Sequence, residues 1–178
     1  MDPCFETATG LGRAIRNGRL SSVEATEAHL QRIARINGSV NALVAVDRVG
    51  AMKAARAADR ALARSAGKKG AGLGPLHGVP ITIKEAFDVA GLRTTSSHPP
   101  LKDNIARSDA TLVARLRAAG VVILGKTNVP ELCMDFQTDS PLFGTTKNAW
   151  DAGRTAGGST GGGGVAVAAR LSLLEIGS

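Results

Sequence analysis

The stretch Ser108-Asp109-Ala110-Thr111-Leu112-Val113-Ala114-Arg115-Leu116-Arg117-Ala118-Ala119-Gly120-Val121-Val122-Ile123-Leu124 changes its period halfway along. Its first part places Leu112, Val113 and Leu116 at helical spacing behind Ser108, which reads as the N-cap. Gly120 ends the helix. Val121–Leu124 is an uninterrupted β-branched and aliphatic run, the pattern of a buried strand. An earlier run of the same kind, Ile81-Thr82-Ile83-Lys84, follows the rigid turn Gly74-Pro75-Leu76-His77-Gly78-Val79-Pro80. A strand, then a helix leading into a second strand, predicts an α/β fold: a mixed β-sheet flanked by helices.

Working outward, residues 7–17 are helical up to Asn17-Gly18. Ser21 and Glu24 form a capping box for a second helix, with Val23, Thr26, Leu30 and Ile33 on one face and Asn37-Gly38 as its stop. Ala42–Val46 reads as a strand. Residues 48–65 form an alanine-rich helix that fades into a glycine-rich loop at 67–74. A loop region punctuated by Pro130, Pro141 and Gly144 covers 129–150.

Composition removes several classes of function. The chain has 178 residues, 43% of them hydrophobic, and no apolar run of membrane-spanning length. With no basic and apolar leader at the start, the expectation is a cytoplasmic protein. The net charge of +7 raises a nucleic-acid reading, but the basic residues are scattered along helices and one loop, Arg64–Gly70. Aromatic residues make up only 3% of the chain, which leaves few stacking platforms. A solvated surface accounts for the charge. Cys4 and Cys133 are too far apart to form a metal or redox motif.

Near the end stands Thr155-Ala156-Gly157-Gly158-Ser159-Thr160-Gly161-Gly162-Gly163-Gly164, running into Val165-Ala166-Val167-Ala168-Ala169. Glycines allow backbone N–H groups to approach a bound atom, and a helix start behind them would favour developing negative charge. Two familiar patterns match locally and fail in context. Gly120-Val-Val-Ile-Leu-Gly125-Lys126-Thr127 has the phosphate-loop spacing, yet its interior reads as strand rather than loop. Gly157-Gly158-Ser159-Thr160-Gly161 has the nucleophile-elbow spacing, but His29, His77 and His98 all precede Ser159, the wrong order for that triad.

A lysine can replace histidine as the base for a serine if burial disfavours its charged form. Lys84 is the candidate. Read on its own, it is first a strand-end lysine whose ammonium snorkels to water; the alternative is a buried base.

Taken together, Gly74-Pro-Leu-His-Gly-Val-Pro-Ile-Thr-Ile-Lys84-Glu, Ala119-Gly-Val-Val-Ile-Leu-Gly-Lys-Thr-Asn128, Pro141-Leu-Phe-Gly144 and Gly157-Gly-Ser-Thr-Gly-Gly162 resemble the amidase signature family. The resemblance covers nearly the whole chain. It implies hydrolysis of a carboxylic amide by a Ser-Ser-Lys triad without metal or cofactor. Lys84 is then the base and Ser159 the bridging serine, whose peptide bond is cis in the family. Cys133, Met134 and Phe136 fall in the segment that lines the acyl pocket, with Ser159 and Thr160 also contacting substrate.

The family's acyl-accepting serine ends a Gly-Ser-Asp-x-Gly-Gly-Ser run. Here that run begins at Gly177-Ser178, so the nucleophile is expected beyond residue 178, and residues 1–178 alone are expected to be inactive. The organisation implied is the N-terminal part of a single amidase domain, with a helical lead-in over about 7–65 and a sheet and catalytic-loop region over about 74–178. Thr160, Gly163, Ala149 and Glu85 depart from the usual residues without removing a triad member. The implied partner is a small-molecule amide, with no direct nucleic-acid or membrane contact, and a homodimer of the longer protein is compatible with this reading. Two other readings stay open: a component of a tRNA-dependent amidotransferase, resembling its amidase-like subunit, and a non-catalytic remnant.

Overall fold

The computed structural model describes residues 2–65 and 72–178. Its helices and strands follow in chain order: α1 (Ala8–Arg16), α2 (Ser22–Val40), β1 (Leu43–Val46), α3 (Arg48–Arg64), β2 (Pro80–Lys84), α4 (Thr111–Ala118), β3 (Val122–Thr127), β4 (Asp139–Ser140), β5 (Gly144–Thr145), α5 (Gly161–Ala168) and β6 (Glu175–Ile176). Residues 66–71, the centre of the expected basic and glycine-rich loop, lie outside the described residues.

Four strands form the main sheet in the order β1-β3-β2-β6. β1 runs antiparallel to β3, whereas β2 is parallel to both β3 and β6. The mixed α/β sheet expected from the sequence is therefore present. Alternation along the strands sends side chains into two apolar clusters. Val122 and Leu124 pack with Leu30, Ile33 and Val165. Ile81, Ile83 and Ile123 pack with Val89 and Val113.

The capping box forms as read: Ser21 Oγ accepts from the Glu24 N–H, and the Glu24 carboxylate accepts from the Ser21 N–H at 2.8 Å. The stop at Asn37-Gly38 does not form. α2 runs on to Val40 and ends at Asn41 in the left-handed region (φ 49°). Asn37 stays helical because its side chain works on the chain beyond the helix. Its Oδ1 accepts from the N–H groups of Ala42 (3.0 Å) and Leu43 (2.8 Å), and its Nδ2 donates to the Leu43 carbonyl.

Ser108 is likewise not the cap of α4, which starts behind Ala110 with no side-chain cap. The neighbouring Asp109 fixes this corner instead, accepting from the Ala90 N–H and from Arg117 Nε. β3 runs past Leu124 to Thr127, because its pairing with β1 and β2 continues that far. β1 and β3 shift register between Leu43 and Ala45. At Gly125 an added Cβ would overlap the Ala45 carbonyl oxygen, so only glycine lets the two strands approach there. The segment with phosphate-loop spacing is thus strand. The sequence does not announce β6, since two residues carry no readable period.

Candidate active site

Lys84 ends β2 with no solvent exposure. The snorkelling reading of this side chain is therefore corrected. Lys84 pairs with Thr127 of β3, and a partner 75 positions away in the chain meets its tip: Nζ lies 2.8 Å from Ser159 Oγ. The same Nζ is 3.0 Å from Ser178 Oγ and 3.1 Å from the Ser178 backbone oxygen. A lysine and two serine hydroxyls thus converge on one point, an arrangement through which a proton can pass from oxygen to nitrogen.

Packing of the glycines presents Ser159. The Gly158–Ser159 peptide bond is cis. α5 begins inside the glycine run, at Gly161, rather than at the Ala/Val run behind it. Its first turn lies directly on backbone: an added Cβ on Gly162 would come within 2.5 Å of the Asn128 carbonyl oxygen and 2.8 Å of the Ala42 carbonyl oxygen. The leading amides of α5 are satisfied locally. Gly161 N–H donates to Thr138 Oγ1 (3.1 Å) and Gly162 N–H to the Asn128 carbonyl (3.2 Å). Thr138 in turn donates to the Gly157 carbonyl, and Asn128 Nδ2 donates to the Gly144 carbonyl and Thr146 Oγ1.

A cavity of about 310 Å³ opens over Ser159, lined by Cys133, Met134, Asp135, Phe136, Gly158 and Ser178. Cys133, Met134 and Phe136 thus share one cavity with Ser159. Met134 (82% exposed) and Phe136 (88% exposed) present apolar surface that no other described residue covers. Thr160 stands beside the cavity rather than on its wall, and its hydroxyl donates to the Ser178 backbone oxygen at 3.1 Å. Burial pushes the Cys133 thiol above its ordinary pKa, opposed by the neighbouring Lys84. None of the three histidines bonds to Ser159. His29 pairs with the Ala25 carbonyl, His77 with that of Ala58, and His98 with Glu131.

Three further polar groups surround the site without having been singled out in the sequence. Lys126 is as buried as Lys84, but its Nζ donates to the Arg93 carbonyl (2.7 Å) and Thr94 Oγ1 (2.6 Å). Burial lowers its pKa to about 8, opposed by Glu85. Glu85, itself raised by burial, accepts from Thr95. Glu175 accepts from Thr127 Oγ1 at 2.6 Å, and burial raises its carboxyl to about 7. Lys126 lies just past the apolar run that announces β3, so its burial had no local sequence signal.

The family model describing amidases matches residues 24–178, and the chain belongs to that family. Among curated relatives, it is 46% identical to an indoleacetamide hydrolase of Bradyrhizobium diazoefficiens over 97% of this chain and 32% of the relative. It is 45% identical to a glutamyl-tRNA(Gln) amidotransferase component, the A-type subunit of the Acidothermus cellulolyticus enzyme, over 97% of this chain and 33% of that one. Among solved structures, a fatty acid amide hydrolase superposes with a TM-score of 0.91 at 28% identity, covering 98% of this chain and 30% of the other. The chain spans about a third of the length of these proteins.

Proposed function

We propose that this chain supplies part of a single amidase domain that hydrolyses a carboxylic amide by a Ser-Ser-Lys mechanism. The observation that carries the reading is the contact of the fully buried Lys84 Nζ with Ser159 Oγ at 2.8 Å. Lys84 Nζ takes the proton of Ser159 as Ser159 takes that of the nucleophilic serine. The serine oxygen then bonds to the amide carbon. Collapse of that adduct breaks the C–N bond, with the proton returned along the same path to the departing amine. Water reverses the sequence on the acyl-enzyme and releases the acid.

The substrate on this reading is a small-molecule amide, its acyl portion resting on Cys133, Met134 and Phe136, with Ser159 and Thr160 beside the scissile bond. The protein is read as cytoplasmic, and a homodimer of the longer protein is compatible with this reading. Among the described residues no helix is long and apolar enough to cross a membrane. The test is Lys84→Ala in the intact protein that carries this sequence, assayed on a panel of primary amides. Turnover is expected to fall by about 10²–10⁴-fold, the usual weight of a general base, with an unchanged circular dichroism spectrum. Turnover close to that of the unaltered protein would sink the assignment.

The 45% identity to an amidotransferase component favours a second reading, a role in transamidation. Co-purification of partner subunits, with turnover that requires ATP, would select it. Absence of labelling by a serine-reactive probe in the intact protein would instead mark a non-catalytic remnant.

A further inference from the structure

We propose that Glu175 is a second ionisable group of this site, a positioning residue whose protonation sets how firmly the loop carrying Ser159 is held against Lys84. β6 pairs with β2 in the register Thr82↔Glu175 and Ile83↔Ile176. Side chains alternate along a strand, so Glu175, Thr82 and Lys84 share one face of the sheet, with Thr127 of β3 beside them. Thr127 Oγ1 donates to Glu175 Oε1 at 2.6 Å. Glu175 Oε2 and Thr82 Oγ1 are both buried without a hydrogen-bond partner.

The carboxyl lies as a wedge beneath the first turn of α5. A Cβ on Gly163 would come within 2.7 Å of Glu175 Cδ and 2.8 Å of its Oε1. Glycine at this position is what admits the glutamate. Both arms of the site leave from this wedge. Ser159 and Thr160 immediately precede α5, and Gly177-Ser178 immediately follow β6. Ser159 and Ser178 are the two residues that contact Lys84 Nζ.

The charged groups around the wedge are few. β2 contributes Lys84, which favours the carboxylate. α5 contributes none, being Gly161–Ala168. β3 offers the Thr127 hydroxyl, while its Lys126 is bonded to Arg93 and Thr94. A neutral carboxyl can sit in this apolar wedge. An ionised one needs donors for both oxygens, and it draws on Thr127, Thr82 and Lys84. Burial places the change of state at about pH 7.

The sign for stability follows from the raised value. The folded carboxyl holds its proton after the unfolded one has lost it, so this contribution is complete below about pH 4.5 and is lost as pH rises through about 7.

The experiment is a pH titration of the backbone amide resonances of Gly157–Gly164 in the intact protein, for the unaltered sequence, Glu175→Gln and Thr127→Val. We expect these amides to titrate with a midpoint near 7, the transition to vanish in E175Q, and the midpoint to move upward in T127V, which removes the donor that favours the anion. In parallel, the urea midpoint of the unaltered protein should fall relative to E175Q between pH 4.5 and 7. The kcat/KM profile of E175Q should lose its inflection near pH 7. Only this kinetic arm rests on the amide-hydrolysis reading. Loop amides that titrate in a protein without amide turnover would therefore reject that reading and keep this one. Loop amides that do not titrate, a midpoint unmoved in T127V, or a stability change without any change at the loop would overturn the proposal. Should E175Q not fold, the unaltered protein and T127V decide it.

Discussion

Gly162 and Gly164 lie two residues apart in α5 and face opposite surroundings, so adding one methyl group to each should move stability in opposite directions. At Gly162 an added Cβ meets only backbone: the nitrogen and carbonyl oxygen of Asn128 at the end of β3, and the Ala42 carbonyl at the entry to β1. Ordinary van der Waals contact begins near 3.4 Å, and the Asn128 and Ala42 carbonyl oxygens would stand at 2.5 and 2.8 Å. No side chain can rotate away, so the helix must lift off the sheet. Overpacking of this kind costs about 1–3 kcal/mol, offset by the roughly 0.5–1 kcal/mol that alanine gains over glycine in a helix. Gly162→Ala should therefore lose about 1–2 kcal/mol.

Gly164 has no atom within 4 Å of its Cβ position, so Gly164→Ala should gain roughly 0.5–1 kcal/mol. The assay is urea unfolding of the two variants side by side, together with amide turnover of the intact protein. Lifting α5 also pulls Ser159 from Lys84, so Gly162→Ala should lose turnover while Gly164→Ala keeps it. If Gly162→Ala is as stable as Gly164→Ala, the close seating of α5 on the two strands is wrong.

Two further outcomes are expected. Asn37→Ala removes the group that satisfies two backbone N–H groups and one carbonyl around Ala42 and Leu43, and should cost about 1–3 kcal/mol in chemical denaturation; a loss no larger than that of an exposed helix asparagine would refute its role beyond the helix. Lys126 has its folded pKa lowered to about 8 from 10.5, so the unfolded chain binds more protons between these values and stability should rise with pH across that window. Lys126→Met should flatten this rise, and an unchanged slope in pH-dependent unfolding would show that Lys126 is not the buried cation.

The parts of this protein that local chemistry governs were legible in the sequence. The capping box at Ser21 and Glu24 needs only residues three apart, and it forms as read. The runs ending in Lys84 and Leu124 announce strands because β-branched residues suit a pleated, buried backbone, and the helix between them announces an α/β sheet. Lys84, Ser159 and the Cys133–Phe136 segment stand out through their motifs; the fold brings Ser159 and that segment to one cavity and sets the buried Lys84 Nζ 2.8 Å from Ser159 Oγ.

Errors arose where a residue's partner lay outside its own element. Asn37 resembled a helix stop, since its preference for turns is visible and its bonds to Ala42 and Leu43 are not. β3 outran its apolar pattern because pairing with β1 and β2 carried Lys126 and Thr127 into the sheet.

By itself, then, the sequence determined the secondary structure of the strongly periodic segments and the α/β class, and it singled out Lys84 and Ser159 as candidates. The tertiary structure alone decided that Lys84 is buried rather than snorkelling, that it meets Ser159 across 75 positions, and that Lys126 and Glu175 share the sheet with it. The reason is physical. Periodicity records which face of an element is apolar, whereas the environment of a charged group depends on which distant backbone closes over it. Here that closure depends on glycines whose missing side chains let α5 rest directly on the strands.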